Sequence, residues 1–565
     1  KALTFVLFAY ITLDYIGLFI YSIIITDFIS SVFLLMCTRI LTVNFYYHLL
    51  QLLKKPRQAT LIYGISERGI SLANYLRSEN NPYNVFGFIT RKPENKKYRR
   101  LVGYQIYLID EENSLRKLFS TLKVNCILFL SHTDLRNDEE IVQYGLENHI
   151  CLRIAPFLTE QTQWNKIQLR NIQIEDLLSR EEINIDLDNI RNELSGSVIM
   201  VTGAAGSIGS ELCRQLCCFN LKQLILFDFS ETATYEVDME LKKRFPDRSI
   251  LPIIGDVRNR DRVESQTRLY HPDIIFHAAA YKHVPMMEKY PCEAVRTNVL
   301  GTSIMADTAL KYGVKKFIMI STDKAVNPSS VMGATKRLAE MYVQSLGSAI
   351  QEGNIIGKTS FITTRFGNVL GSNGSVIPLF RQQIMEGGPV TVTHPDIIRY
   401  FMTIPEACRL VLEAAFMGQG NDIFIFDMGK PVKITDMACR MIKLAGLQPD
   451  KDIEIVYTGL RPGEKLYEEL LYNEENSTPT LNPKIFKGIS LKQDYDKIKP
   501  ALQQLVEVAQ TDNKKETVYQ LKQIVPEFKS MNSVYEALDE KTYISKKMKS
   551  NICLLYTSDA ADDKA

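Results

Sequence analysis

Ser197-Val198-Ile199-Met200-Val201-Thr202-Gly203-Ala204-Ala205-Gly206-Ser207-Ile208-Gly209 decides the fold. An unbroken apolar run of strand length enters a loop of small residues, and a helical pattern opens at Ser210. The pattern T-G-x-x-G-x-x-G makes a tight turn. It lets backbone N–H groups at a helix N-terminus face a pyrophosphate, where the helix dipole favours negative charge. The next apolar run, residues 224–227, ends at Asp228, nineteen residues beyond Gly209. A carboxylate at that distance grips the ribose of an adenosine. A third run, residues 250–254, leads into Gly255-Asp256-Val257, placed to meet an adenine. A fourth, residues 274–277, leads into Ala278-Ala279-Ala280, small enough for a cofactor to lie close. Repeated strand–helix units at this spacing specify a doubly wound α/β sheet. An acid at Asp228 with no arginine near it in sequence favours NAD over NADP.

The fifth run, residues 316–320, delivers Ser321-Thr322-Asp323-Lys324 to the carboxyl end of a parallel strand, where such sheets keep their chemistry. Ser330-Val331-Met332-Gly333-Ala334-Thr335-Lys336 then opens a helix. Lys336 follows Met332 by four residues, on the same helix face. His277 and His283 read as structural residues.

Upstream, a weaker copy of the motif occurs. Residues 59–63 form a short strand, followed by Gly64-Ile65-Ser66-Glu67-Arg68-Gly69 and a helical run to Leu76. Ser66 stands where a glycine would let backbone approach a phosphate, and the second strand runs into Thr90-Arg91 instead of an acid. A first Rossmann-like domain over 58–156, without a working nucleotide site, is expected. Residues 157–195 read as a connector.

Further upstream the composition changes. From Ala2 to Leu53 the only charges are Asp14, Asp27 and Arg39. Residues 2–20 and 21–43 are each long enough to cross a hydrocarbon core of ~30 Å as a helix. Two crossings in residues 1–53 are therefore expected, with one tilted span plus an interfacial helix as the alternative. Lys54-Lys55-Pro56-Arg57 and the basic residues 91–100 place the remainder in the cytoplasm, at the inner membrane. Lys1 opens inside the apolar run, so earlier residues are expected. Residues 546–565 carry no amphipathic pattern and read as appended, non-native sequence.

The whole chain has 565 residues, 67 Lys+Arg against 65 Asp+Glu, and a net charge of +2. That balance provides no electrostatic footprint for nucleic acid. Ten scattered cysteines, without a C-x-x-C pair, exclude a disulfide scaffold and give no zinc-ligand spacing, so no metal is expected.

With these motifs in hand, residues 196–475 resemble an extended short-chain dehydrogenase/reductase. Ser321-Thr322-Asp323-Lys324-Ala325-Val326-Asn327-Pro328 resembles the nucleotide-sugar 4,6-dehydratases. The match is to the large membrane-anchored branch that makes a 4-keto-6-deoxy derivative of UDP-N-acetylglucosamine for surface polysaccharide. Supporting stretches are His277-Ala278-Ala279-Ala280-Tyr281-Lys282-His283-Val284-Pro285, Arg365-Phe366-Gly367-Asn368-Val369-Leu370-Gly371-Ser372 and Arg461-Pro462-Gly463-Glu464-Lys465.

The resemblance implies NAD as cofactor, a nucleotide-sugar substrate, a bilayer anchor and a homo-oligomer. It implies Asp323 as acid, Lys324 as base, Thr322 on the C4 oxygen and Lys336 on the nicotinamide ribose. Met332 stands where most relatives of the fold carry a tyrosine base, and a thioether takes no proton. The same branch resembles this chain in having Met there. Burial and the charge of Lys336 are expected to lower the pKa of Lys324. The expected cofactor residues are Gly203, Gly206, Ser207, Ile208, Gly209, Asp228, Asp256, Val257, Ala278, Ala279, Ala280, Lys282, Asn298 and Lys336. Expected substrate residues are Asn368, Arg381, Arg399 and Arg461, with the segment Ser375–Pro378. Residues 476–545 read as a helical appendage. An epimerase or reductase of the same fold, and an inactive nucleotide-sugar-binding membrane scaffold, are the alternatives.

Overall fold

The computed structural model describes residues 2–53, 57–77, 81–91, 100–109, 112–155, 169–178, 187–418, 420–469, 477–488 and 493–539. Much of the expected connector, the basic residues 54–56 and 92–99, and the tail 546–565 lie outside them. The chain forms two compact units, one of residues 1–134 and 150–170, the other of 135–149 and 171–565.

The first unit opens with one unbroken helix, α1 (Ala2–Leu53). Two crossings joined by a turn were expected, and the structure differs. Residues 2–53 contain no proline and a single glycine, Gly17, so nothing interrupts the backbone ladder. At 1.5 Å per residue its 52 residues span about 78 Å, well beyond one hydrocarbon core. Ala2–Tyr46 is long and apolar enough to cross a membrane. Its large apolar side chains, Leu3 and Phe5 among them, are exposed. The hydroxyls of Thr12, Thr26 and Thr38 donate to carbonyls one turn back, at 2.8, 2.6 and 2.9 Å. Lipid demands such internal satisfaction of polar groups.

The rest of this unit is built on a sheet whose parallel centre is β1 (Gln58–Tyr63), β2 (Tyr83–Thr90), β3 (Tyr104–Leu108), β4 (Cys126–Phe129) and β5 (Cys151–Ile154), ordered β3-β2-β1-β4-β5, with a two-residue strand at each edge. A core of Ile62, Leu72, Phe88 and Leu128 fixes helix α2 (Glu67–Leu76) to it. The Ser66 hydroxyl caps α2 by accepting the Gly69 N–H at 3.1 Å. The side chain thus takes a donor that a phosphate would need.

The second unit is built on a nine-stranded sheet. Its strands are β6 (Val198–Thr202), β7 (Gln223–Asp228), β8 (Ile250–Ile254), β9 (Ile274–His277), β10 (Lys316–Thr322), β11 (Ser360–Phe366), β12 (Asp422–Phe426), β13 (Ser477–Pro479) and β14 (Ile485–Gly488). The spatial order is β8-β7-β6-β9-β10-β11-β12-β14-β13. The first seven strands run parallel, and β14 and β13 join antiparallel. Chain order reverses between β6 and β9, the crevice where doubly wound sheets bind dinucleotides. Helix α3 (Ser207–Leu216) follows β6 and helix α4 (Val331–Gln351) follows β10.

The sheet therefore continues past residue 475, where the catalytic unit was expected to end. Helices α5 (Tyr495–Gln510) and α6 (Lys514–Ile524) are not an appendage either. Leu502, Leu505, Val518 and Leu521 share one core with Val331, Leu338 and Tyr342 of α4. The apolar stripes of two amphipathic helices find their partner there. After α6 the chain straps two loops. Lys529 and Met531 donate backbone N–H bonds to Pro328 and Ser329 carbonyls at 3.1 and 3.2 Å, and Met531 accepts from Gly463 at 2.7 Å.

Candidate active site

Two cavities open at the carboxyl end of the sheet. One, of about 260 Å³, is lined by Gly203, Gly206, Asp228, Asp256, Val257 and Ala278–Ala280. The other, of about 590 Å³, runs from Gly203, Gly206, Ser207, Ile208 and Gly209 past Thr322, Lys324, Met332 and Lys336 to Asn368, Arg399 and Arg461. Both touch the glycine turn, so one extended molecule laid across it would fill both.

The turn is as close-packed as the motif demands. Gly203 has φ +66°, and a Cβ there would lie 2.7 Å from the Ala279 nitrogen. A Cβ on Gly209 would lie 2.0 Å from the Gly203 oxygen. Gly209→Ala is accordingly expected to destabilise the unit by about 1–3 kcal/mol, the range for overpacking. A lowered Tm in differential scanning calorimetry checks it. Asp228 closes the strand end, accepting the Ala205 and Ser230 N–H groups at 3.0 and 2.9 Å.

One expectation needs correction here. No arginine stands near Asp228 in sequence, but the fold brings Arg258 onto the same cavity wall. Its guanidinium is spent on Asp256 at 2.6 Å and Glu293 at 2.9 Å. The contact with Arg258 holds Asp256 below the usual carboxylate range against the upward pull of burial. Asn298 is a second correction. Its side chain is fully buried and lines neither cavity. Its amide accepts from the Tyr281 N–H and donates to the Tyr281 carbonyl and the Thr335 hydroxyl, pinning the 278–283 loop to α4.

The chemistry-bearing residues meet at the end of β10. Asp323 is fully buried in the turn that follows the strand. Its Oδ1 accepts from the Thr322 hydroxyl at 2.8 Å and from Lys324 Nζ at 2.9 Å. Its Oδ2 has no hydrogen-bond partner among the described residues. Gly367, on the cavity wall, lies beside it: a Cβ at 367 would come within 3.0 Å of Oδ2. Asp323 itself lines neither cavity: Thr322, Lys324 and Gly367 stand on the wall in front of it, and its Oδ2 is a buried acceptor left over behind Gly367. Lys324 Nζ also donates to Asn368 Oδ1 at 3.1 Å.

The expected lowering of the Lys324 pKa is not what the site produces. Burial does pull the ammonium down, but the carboxylates of Asp323 and Glu468 more than reverse it, and the net shift is upward. The opposing cation is Arg399, not Lys336. The pKa of Lys336 does fall, to about 8, through burial, with Glu340 pulling the other way. Its Nζ donates to the Ile320 carbonyl at 2.7 Å.

His277 is structural, as read. Burial, then the charge of Lys336, lowers its pKa to about 3, so the ring is neutral. Thr302 donates its hydroxyl proton to the Asn298 carbonyl and so accepts from Nε2, which leaves Nδ1 to accept from Thr202. Lys282 reaches Ser372 at 3.3 Å, and burial followed by the Lys324 charge lowers its pKa.

Of the expected substrate residues, Asn368, Arg399 and Arg461 line the main cavity. Arg381 does not: it is exposed and pairs with Glu175 at 3.1 Å. Sequence reading passed over Glu468, buried 3.6 Å from Lys324, although it follows the 461–465 motif by three residues. It also passed over the fully buried Arg365–Glu340 pair, at 2.8 Å, behind β10.

The family model described as polysaccharide biosynthesis protein matches residues 199–490, the region that builds both cavities. The chain belongs to this family. It is 44% identical over 437 residues to the capsular polysaccharide biosynthesis protein CapD of Staphylococcus aureus, covering 76% of this chain and 72% of that one. It is 47% identical over 291 residues to the uncharacterized membrane protein MJ1061 of Methanocaldococcus jannaschii, covering 51% of this chain and 84% of that one. It is 36% identical over 281 residues to a UDP-glucose 4-epimerase of Rickettsia massiliae, covering 49% and 78%. The family shown is thus one of polysaccharide biosynthesis, on a Rossmann-like fold, and the relatives include a nucleotide-sugar epimerase. The chain's apolar α1 and its membrane relative associate it with the membrane.

Proposed function

We propose that the protein is an NAD-dependent nucleotide-sugar 4,6-dehydratase that converts UDP-N-acetylglucosamine to its 4-keto-6-deoxy derivative. The observation that carries this reading is the Asp323–Lys324 pair at the strand end, the carboxylate buried and the lysine on the cavity wall, with Met332 in the place of a tyrosine base. Epimerisation at C4 needs a base for one hydroxyl and has no use for an acid–base pair. Dehydration needs both: a base at C5 and an acid at the C6 hydroxyl.

The glycine turn, Asp228 and Lys336 would hold NAD, which when bound accepts hydride from C4 and returns it to C6. The remaining work falls to side chains. Thr322, donating to Asp323 Oδ1, can accept the C4 hydroxyl proton and pass its own to the carboxylate. That relay needs no tyrosine. It leaves Asp323 protonated, the state it needs to release the C6 oxygen as water. Lys324, once its ammonium has lost a proton to solvent, takes the C5 proton as the amine in the same step and later gives it back. Arg399 and Arg461 suit the diphosphate, because planar guanidinium groups match phosphate oxygens. The basic residues after α1 support a cytoplasmic position for the catalytic unit, where sugar nucleotides are dissolved. The unbroken α1 supports one crossing in place of two.

The test is incubation of the detergent-solubilised full chain with UDP-N-acetylglucosamine, followed by mass spectrometry. Loss of one water without accumulation of NADH supports the reading. Unchanged mass with an inverted stereocentre makes the protein an epimerase, and unaltered substrate makes it a scaffold. In the same assay Met332→Ala is expected to keep turnover within about tenfold, because no proton passes through residue 332.

A further inference from the structure

Glu468 sits in the loop that follows the 461–465 motif, with its side chain 5% exposed. Its Oε1 lies 3.6 Å from Lys324 Nζ and 3.7 Å from Arg399 Nε. Lys324 and Glu468 share a side cavity of about 210 Å³ that opens off the site. The loop is held firmly. Ser329 donates to the Gly463 carbonyl at 2.9 Å, Lys465 Nζ donates to the Val326 carbonyl at 3.1 Å, and Asn327 donates to Glu469 at 2.6 Å. Each bond joins the loop to the turn that carries Asp323 and Lys324. The carboxylate is therefore fixed relative to the lysine.

We propose that Glu468 is a positioning residue: a preset carboxylate, anchored on Arg399, that stabilises the positive charge Lys324 gains when it takes the C5 proton. The inference rests on the dehydratase reading. In that step the C5–H bond breaks and its proton goes to Lys324 Nζ. The electron pair forms the C5–C6 double bond, the C6–O bond breaks, and the hydroxyl leaves as water with the Asp323 proton. Two charges change at once, since Lys324 becomes a cation as Asp323 becomes an anion. Asp323 cannot by itself favour the first change, because it is neutral until the second is under way. A separate fixed anion beside the lysine can, and a prearranged charge costs no reorganisation.

Other charged groups face the lysine and set the sign. On its own turn stands Asp323; from the 281–283 loop come Lys282 and His283; Arg399 stands opposite. Arg461, Glu464 and Lys465 line the same side cavity from the Glu468 loop. Arg399 is shared between Glu464, at 3.3 Å, and Glu468. Removing the Glu468 charge leaves Arg399 and Lys282 to act on Lys324, so its basicity must fall.

The experiment compares wild type, Glu468→Gln and Glu468→Asp as full chains in detergent, with UDP-N-acetylglucosamine, from about pH 7 to about 11.5, because the Lys324 limb lies above the ordinary lysine value of about 10.4. Gln keeps the shape and the polar atoms. Its kcat is expected to fall about tenfold with KM within twofold. Because activity needs the amine, the acid limb of kcat should move to lower pH, by about one unit. Asp, which keeps the charge, should restore most of the wild-type limb. A Gln variant with lowered kcat and an unmoved acid limb overturns the proposal, since a merely structural role predicts that result. So does a Gln variant that behaves as wild type. If Gln fails to fold, the Asp variant decides alone: an acid limb displaced as far as the loss of the lysine's carboxylate neighbour predicts would overturn it. A wild type that releases no water from the sugar overturns the dehydratase reading instead.

Discussion

Asp323→Asn should reduce dehydration of UDP-N-acetylglucosamine by about 10³-fold, the middle of the range for a lost general acid. Asn keeps the size of the side chain and can still accept from Thr322 and Lys324 through its oxygen. It cannot take up the C4 proton and release it at C6. Lys324→Ala should have an effect of similar size for the complementary reason, since Asn368 and Glu468 offer no amine to take the C5 proton. The two changes should be far from additive, because acid and base act in one step. Mass spectrometry of the product measures the loss. Retained binding of the nucleotide, followed by calorimetry, shows that the site is intact. Turnover within tenfold of wild type in either variant would remove the assigned roles.

Glu340→Ala should cost stability. Glu340 is fully buried and meets two arginines, Arg365 at 2.8 Å and Arg337 at 3.3 Å. Burial pushes its carboxyl up, and the charge of Arg365 more than cancels this and holds it low. Removing it takes the buried carboxylate away from Arg365, while Arg337 keeps Glu527 at 2.8 Å. Breaking a buried pair by deleting one partner costs about 3–5 kcal/mol. The sign with pH is definite. Because the folded-state pKa of Glu340 is depressed, its stabilising contribution is present above the ordinary glutamate pKa and fades as pH falls through the folded value. Denaturant unfolding at pH 7 should therefore show the full deficit, and the gap between variant and wild type should narrow in acid. An unchanged midpoint at pH 7 would show that the arginines find other partners.

Much of the second unit was legible because its signals are local. A strand ending in T-G-x-x-G-x-x-G, an acid nineteen residues on, and small residues after the fourth strand each constrain backbone that lies next to them. The helices at 495–510 and 514–524 were also readable as helices. Their place was not. A periodic apolar stripe says that a face is buried, not against what, and here it meets α4 more than 150 residues earlier in sequence. The same limit hid Arg258 from the Asp228 cavity and Glu468 from Lys324. It made Arg381 look like a phosphate ligand, when Glu175 takes it. The pKa of Lys324 turned on two carboxylates, and only the adjacent one was visible in the sequence. Asn298 was visible, but its partner Tyr281 belongs to a loop whose position only the folded sheet defines.

The strap at residues 529–531 also gives the molecule a temporal order. Synthesis runs from the N-terminus, so α1 is made before the catalytic unit. The turn bearing Asp323 and Lys324 comes next, followed by the loop bearing Glu468. The segment whose backbone ties them together comes after both. The two loops of the site can thus be locked in register only after the chain has been made past residue 531.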